Sequence, residues 1–247
     1  MRLYIDIGNS NIVIGRGNDT IKETFRYTTD QSKSSDEYYA MLKHLFDGVD
    51  GVVIASVVPQ VNIAFKTFLK RYFNLTPIFV GPGVKTGVKI KTDNPREVGA
   101  DLVAGAAGAM KLYGDDAVII DMGTATTFTY MEAKEIKGVA ITIGLDSSKD
   151  ALIAKASKLI QFEFEDPTSI VGRNTVEALN SGLLFGHVFQ VIGMAKNIKA
   201  SFKKPHAPVI LTGGASKLIK PLLPESFMYE EHLVLEGLIR IYEKNVM

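Results

Sequence analysis

The sequence predicts an α/β protein made of two similar halves, each a mixed sheet with flanking helices. Three observations point there. The opening MRLYIDIGNSNIVIG is echoed by DDAVIIDMGTATTFTYM: an apolar run, an Asp, a Gly two residues on, short polar residues and a second alternating strand, with Asp6 matched by Asp121. In both halves this hairpin is followed by strand and helix patterns in a similar order. The size also fits, since 247 residues at 46% apolar content suffice for two cores.

Taken in order, residues 2–7 and 11–15 alternate as a strand pair joined through Gly8, Asn9 and Ser10, and Ile21 to Tyr27 gives a third strand. Ser34 with Glu37 forms a capping box before an amphipathic helix reaching Phe46. Gly51 to Val57 is a short apolar run, the pattern of a central strand covered on both faces. Pro59 ends it, and a helix follows to Phe73. Pro77 to Val80 adds a strand, and GPGVKTGVKI reads as a loop and then a strand. Asn94-Pro95-Arg96-Glu97 predicts a helix start, with Asn as cap, Pro at N1 and Glu at N3, for a helix ending near Gly114. A boundary around 112–116 divides the chain into 1–113 and 114–247. The second half holds strands at 117–121, 125–131 and 138–143, helices at about 148–158 and 175–199, a strand at 208–213, a helix from 215 and a last helix near 234–245.

Composition removes several function classes. The absence of cysteine excludes disulfides, Cys-ligated zinc, iron–sulfur clusters and thiol nucleophiles. No uninterrupted apolar run reaches the length of about eighteen residues that a membrane span needs, and the start is unlike a signal peptide, so no membrane is expected and the cytoplasm is the expected compartment. With 28 basic and 27 acidic side chains the net charge is +1, and no nucleic-acid partner is expected. Lys196, Lys199, Lys203, Lys204 and His206, and likewise Lys85, Lys89 and Lys91, read as solvated faces, although Lys85 and Lys89 also suit drawing a small anion into a cleft. His44, His187, His206 and His232 are scattered without ligand spacing.

The residues suited to chemistry lie at turns and helix starts. Asp6 and Asp121 end apolar strands, where an unpartnered carboxylate is costly. Each either caps its own Gly-rich turn or helps to hold a hydrated Mg²⁺, an ion commonly bound by one or two carboxylates and substrate phosphates. Gly8, Asn9, Ser10 and Asn11, and likewise Gly123, Thr124, Ala125, Thr126 and Thr127, offer turn amides and short polar side chains that suit an anion. Neither is a Walker A loop, and no GxGxxG is present. Gly213 and Gly214, between a strand and a helix, either make a tight turn or let a flat ring such as adenine approach the backbone. Asp101, behind Gly99 and Ala100, is either an acid favoured by the helix dipole or a base for a substrate hydroxyl. Gly182 and Gly186 inside an apolar helix cost about 1 kcal/mol each, which calls for a packing reason, and their spacing would permit close packing with a partner.

Asp6-x-Gly-Asn, Asp93-Asn94-Pro95-Arg96-Glu97-Val98-Gly99-Ala100-Asp101, Asp121-Met-Gly-Thr-Ala-Thr-Thr and Val171-Gly172-Arg173-Asn174-Thr175 occur in this order. With them the chain resembles the type III pantothenate kinases nearly end to end, including KTGVKI and Leu233-x-Leu235-Glu236-Gly237. The resemblance implies duplicated RNase H-like domains of the actin-like ATPase kind, with ATP between them. It implies ATP-dependent phosphorylation of pantothenate to 4'-phosphopantothenate, the first step of coenzyme A biosynthesis. It also implies a cytoplasmic homodimer whose pantothenate site uses both subunits, with Mg²⁺ and a monovalent cation, K⁺ or NH₄⁺. On this resemblance Asp101 is the general base, and Gly99, Ala100 and Thr175 lie at the substrate. Asp6 and Asp121 sit at the metal and phosphates, the two turns bind phosphate, and Gly213 and Gly214 flank the nucleotide. The sequence departs from the family pattern at Leu102, where arginine is usual, at Thr129, where an acid is usual, and at Val139 and Ile143, where Gly and Pro are usual. These departures leave open a nucleotide-binding paralogue with a regulatory role, or a kinase for another small hydroxylated acid.

Overall fold

Alternating apolar residues and an Asp-x-Gly turn build the first hairpin. In the computed structural model, which describes residues 1–155, 162–165 and 169–246, β1 (Arg2–Ile7) pairs antiparallel with β2 (Asn11–Gly17), and β2 with β3 (Ile21–Thr28). The capping box forms at α1 (Ser35–Leu42): Ser34 Oγ accepts the Glu37 N–H and Glu37 Oε2 accepts the Ser34 N–H at 2.8 Å. The apolar run becomes β4 (Gly51–Ser56), parallel to β1, and α2 (Pro59–Phe73), β5 (Ile78–Phe79) and β6 (Lys89–Ile90) follow.

The next helix differs from expectation. Asn94 Nδ2 donates to Glu97 Oε1 at 2.6 Å, so its side chain caps no backbone N–H, and Pro95–Glu97 forms only a 3-10 turn. Val98 and Gly99 are extended, and α3 (Ala100–Tyr113) starts behind them. Asp101 therefore sits in the first turn of α3, not several residues inside a longer helix.

The second half repeats the pattern with β7 (Ala117–Met122), β8 (Ala125–Glu132), β9 (Glu135–Ile143), α4 (Leu145–Lys155), α5 (Thr175–Ser201), β10 (Val209–Thr212), α6 (Ser216–Ile219), β11 (Phe227–Tyr229) and α7 (Leu233–Val246). β9 and α4 each begin three residues before the expected start, and the expected helical residues 156–158 lie outside the described residues. β11 has no counterpart among the expected strands, because three residues are too few for a periodicity. The sheets have the orders β3-β2-β1-β4-β5 and β11-β10-β7-β8-β9-β6. Apart from the added edge strand β6, the second order is the first one over again: an antiparallel hairpin at the centre, then parallel strands beyond its first member.

Contacts group the chain into two compact units, Met1–Asp115 with Glu132–Lys137 and His232–Met247, and Asp116–Met131 with Gly138–Glu231. In the first, Leu3, Ile5 and Ile7 point to one face of the sheet and pack with Tyr38, Leu42, Phe65 and Phe68 of α1 and α2. The other face carries Tyr4, set edge-on to Tyr242 of α7, and Gly15, where a Cβ would strike Leu235 of α7. α7 in turn crosses α3 at Gly108 and Gly237, where a Cβ on either would meet the other helix's backbone. In the second unit Val118, Ile120, Met122, Phe128 and Tyr130 form a core with Leu184, Val188 and Val191 of α5. By length and hydropathy α5 is the one described helix suited to crossing a membrane; these three residues lie buried against the sheet.

Candidate active site

In the first unit β1 ends in Asp6-Ile7-Gly8, and the turn closes as the Gly8 N–H donates to the Asn11 carbonyl at 2.9 Å. Thr29 pins that turn, its Oγ1 donating to the Gly8 carbonyl at 2.7 Å and its N–H to the Ser10 carbonyl at 3.0 Å. Sequence reasoning passed over Thr29, because a threonine closing a third strand has no local signature. Asn9 and Ser10 are exposed at the tip, and Asn11 is half-buried. Asp6 alternates with Ile5 and Ile7, so its half-buried side chain shares the face of Tyr4, under α7.

The parallel register sets Ile7 beside Ser56, with the Val57 N–H donating to the Ile7 carbonyl at 3.0 Å. There a cavity of about 860 Å³ opens, walled in part by Ser56, Val57, Gly81, Arg96, Gly99 and Ala100. Asp101 follows the lining residues Gly99 and Ala100 and is half-buried. Its Oδ1 accepts the Leu102 N–H at 2.8 Å and lies where a Cβ on Gly99 would have to go. Glycine at 99 is thus what leaves room for the carboxylate. Burial pushes the Asp101 pKa above the ordinary aspartate value, with backbone hydrogen bonds opposing. A carboxylate with raised proton affinity at the edge of a cavity suits general-base work. Leu102 beside it is half-buried.

The second unit assembles its own turn. The Gly123 N–H donates to the Ala125 carbonyl at 3.0 Å, while the Gly144 N–H and Ser147 Oγ both donate to the Thr124 carbonyl, at 3.1 and 2.8 Å. A Cβ on Gly144 would collide with the Gly123 and Thr124 carbonyls, so this glycine lets the end of β9 pack on the turn. Asp121 is in register with Thr127 on one side and Thr212 on the other. Gly213 has φ +87°, and a Cβ there would strike Asp121 Oδ1 and the Met122 backbone. The Ala215 N–H donates to the Met122 carbonyl at 3.1 Å. Asp121, the Gly123–Thr127 turn and Gly213 are therefore brought together, and Gly214 borders open space.

Thr127 and Thr129 lie on the Asp121 face of β8, and their hydroxyl oxygens are buried without hydrogen-bond partners among the described residues. Thr126 is buried on the opposite, core-facing side. Thr175 opens α5, where Asn174 Oδ1 accepts the Glu177 N–H at 2.9 Å, and lines a separate depression of about 440 Å³ with Arg173 and Asn174. On the outer side of α5, Gly182 and Gly186 face open space and Phe189 is 56% exposed.

Among the described residues no three His, Asp or Glu side chains converge as a metal cage. Asp6 and Asp121, each beside turn amides, instead offer single carboxylates. That donor set fits a Mg²⁺ held largely by phosphate oxygens and water.

The family model described as Type III pantothenate kinase matches residues 2–197. A protein named Type III pantothenate kinase from Halalkalibacterium halodurans is 42% identical over 255 residues, covering 100% of both chains. Among solved structures, a conserved putative Baf family transcriptional activator from Campylobacter jejuni aligns over 99% of this chain and 98% of its own, with TM-score 0.61 and 18% identity. A ROK family glucokinase from Streptomyces griseus aligns over 98% of each chain, with TM-score 0.53 and 12% identity. At such identities the solved structures establish the fold alone, that of actin-like ATPases and sugar kinases.

Proposed function

The chain belongs to the type III pantothenate kinase family, which phosphorylates pantothenate in coenzyme A biosynthesis, and from that premise we propose which of its residues carry the reaction. Asp101 takes the proton from the primary hydroxyl of pantothenate. The hydroxyl oxygen bonds to the γ-phosphorus of ATP as the bond to the bridging oxygen breaks, ADP leaves, and the proton rests on the Asp101 carboxylate. The observation that carries this reading is the half-buried Asp101 carboxylate, raised in pKa by desolvation and held over Gly99, which with Ala100 lines the cavity.

The turns Gly8–Asn11 and Gly123–Thr127 present amides and hydroxyls to the phosphates, with Gly213 and Gly214 flanking the nucleotide. The Streptomyces griseus glucokinase structure contains AMPPNP, which supports a nucleotide on this fold. Asp6 in the first unit and Asp121 in the second would each offer a carboxylate to Mg²⁺, which would neutralise phosphate charge. Asp121 and the unpartnered hydroxyls of Thr127 and Thr129 supply oxygen ligands to a monovalent cation, K⁺ or NH₄⁺. A second copy packs on the outer face of α5, where Gly182 and Gly186 permit close approach, and Gly99, Ala100 and Thr175 contact pantothenate at a site shared by the two subunits. The cytoplasm is the compartment of this reading.

The test is turnover of pantothenate with ATP, Mg²⁺ and K⁺. Asp101→Asn is expected to lower kcat by about 10²- to 10⁴-fold with nucleotide binding retained. Unchanged kcat in that variant removes Asp101 from the role.

A further inference from the structure

The cavity beside Asp101 has apolar walls, among them Val57, Val80, Val84, Val88, Ile90 and Val103, and Arg96 is its one cationic lining residue. The acid beside it, Glu97, accepts a hydrogen bond from Asn94 Nδ2 at 2.6 Å. Arg96 is exposed and makes no hydrogen bond or ion pair with a described residue. Val88 and Ile90 line the cavity, so strand alternation turns Lys89 to the opposite side, and Arg173 lines the other depression.

A guanidinium without a partner among the described residues, in a cavity walled by valines with Ser56, Thr86 and Glu97, suits a carboxylate ligand, since its planar fork matches both oxygens. Pantothenate carries its reacting hydroxyl at one end and a carboxylate at the other. Arg96 and Asp101 are separated by a 3-10 turn and the extended Val98 and Gly99. At roughly 3.3–3.6 Å per extended residue, their Cα atoms lie no more than about 18 Å apart, within reach of one elongated substrate.

We propose that Arg96 is the specificity-determining residue that binds the carboxylate end of the substrate while Asp101 faces its hydroxyl. This rests on the assignment of the cavity to pantothenate. It makes the enzyme selective for an acid over the neutral alcohol in which the carboxylate becomes a hydroxymethyl group.

The test compares pantothenate with that alcohol, both by steady-state kinetics and by calorimetric binding, in the full-length protein. Arg96→Ala should raise Kd and KM for pantothenate by about 10- to 30-fold, change the values for the alcohol by less than about threefold, and leave kcat nearly unchanged. Arg96→Lys should recover part of the preference, which a purely structural role of the side chain would not produce. Equal losses for acid and alcohol, an undiminished preference in Arg96→Ala, or absence of a preference in the wild-type protein would each overturn the proposal. So would a weakened Kd for MgATP with pantothenate binding intact, because the guanidinium would then serve a phosphate. Asp101→Asn separates the two claims: loss of its turnover with acid preference intact supports both assignments. Retained turnover there defeats the base alone and leaves the binding result to decide on Arg96.

Discussion

The Asp101 carboxylate and the hydrogen on Gly99 Cα occupy one space, and this fixes what can vary there. Burial also makes the ionised form costly, which has a consequence for stability. The folded-state pKa lies above the unfolded value, so the native state holds the proton more tightly. This contribution is fully present below the unfolded pKa and is lost as pH rises through the folded one. Asp101→Asn removes that loss, so at pH 8 the variant should have a Tm equal to or above the wild type's while its turnover is gone. Scanning calorimetry decides it, and a clearly lower Tm would mean that the carboxylate is stabilised by partners in the fold. The same shift moves the acid limb of kcat/KM to higher pH than an unperturbed aspartate would give. In the sequence Asp101 stood out by its place early in a helix behind Gly99 and Ala100 and by the family resemblance; the spatial reason for Gly99 required the backbone geometry.

Helix crossings give opposite answers for glycines that look alike in sequence. Gly237 in α7 meets the Ala104 carbonyl of α3, whereas Gly186 in α5 faces open space. Helix propensity favours alanine by about 1 kcal/mol at either position. At Gly237 the overpacking cost of about 1–3 kcal/mol exceeds that gain, so Gly237→Ala should lower the Tm, and a rise would show that the helices can separate cheaply. At Gly186 no described residue opposes the gain. Gly186→Ala should stabilise the isolated chain and weaken the proposed dimer, as read by sedimentation velocity across a concentration series. Elements with strong local signals were legible: the alternating hairpins, the Ser34–Glu37 box and the long apolar α5. The start of α3 was not, because the choice between capping a backbone N–H and bonding Glu97 is made by the Asn94 side chain in three dimensions.

At the scale of the molecule, the duplicated strand order was foreshadowed by the two Asp-x-Gly hairpins, since each hairpin forms the centre of its sheet. Grouping by contact was less accessible, because a linear reading draws one boundary while the first unit is discontinuous along the chain. α7 covers the face of the first sheet that holds Tyr4 and Gly15, and buries Leu235, Leu238 and Ile241. A chain ending at Glu231 should therefore lose cooperative unfolding of the first unit. Limited proteolysis should cut it first within residues 1–115, and protection equal to the full chain's would show that α7 is dispensable.

The discontinuity also sets an order of events in the cell. Residues 1–115 leave the ribosome with one face of their sheet bare, and the helix that covers it is made only after 116–231. At about 5–20 residues per second this interval lasts roughly 6–23 s. During it, the nascent first unit lacks the cover that Leu233–Val246 supplies, and it reaches its final packing only when that helix arrives.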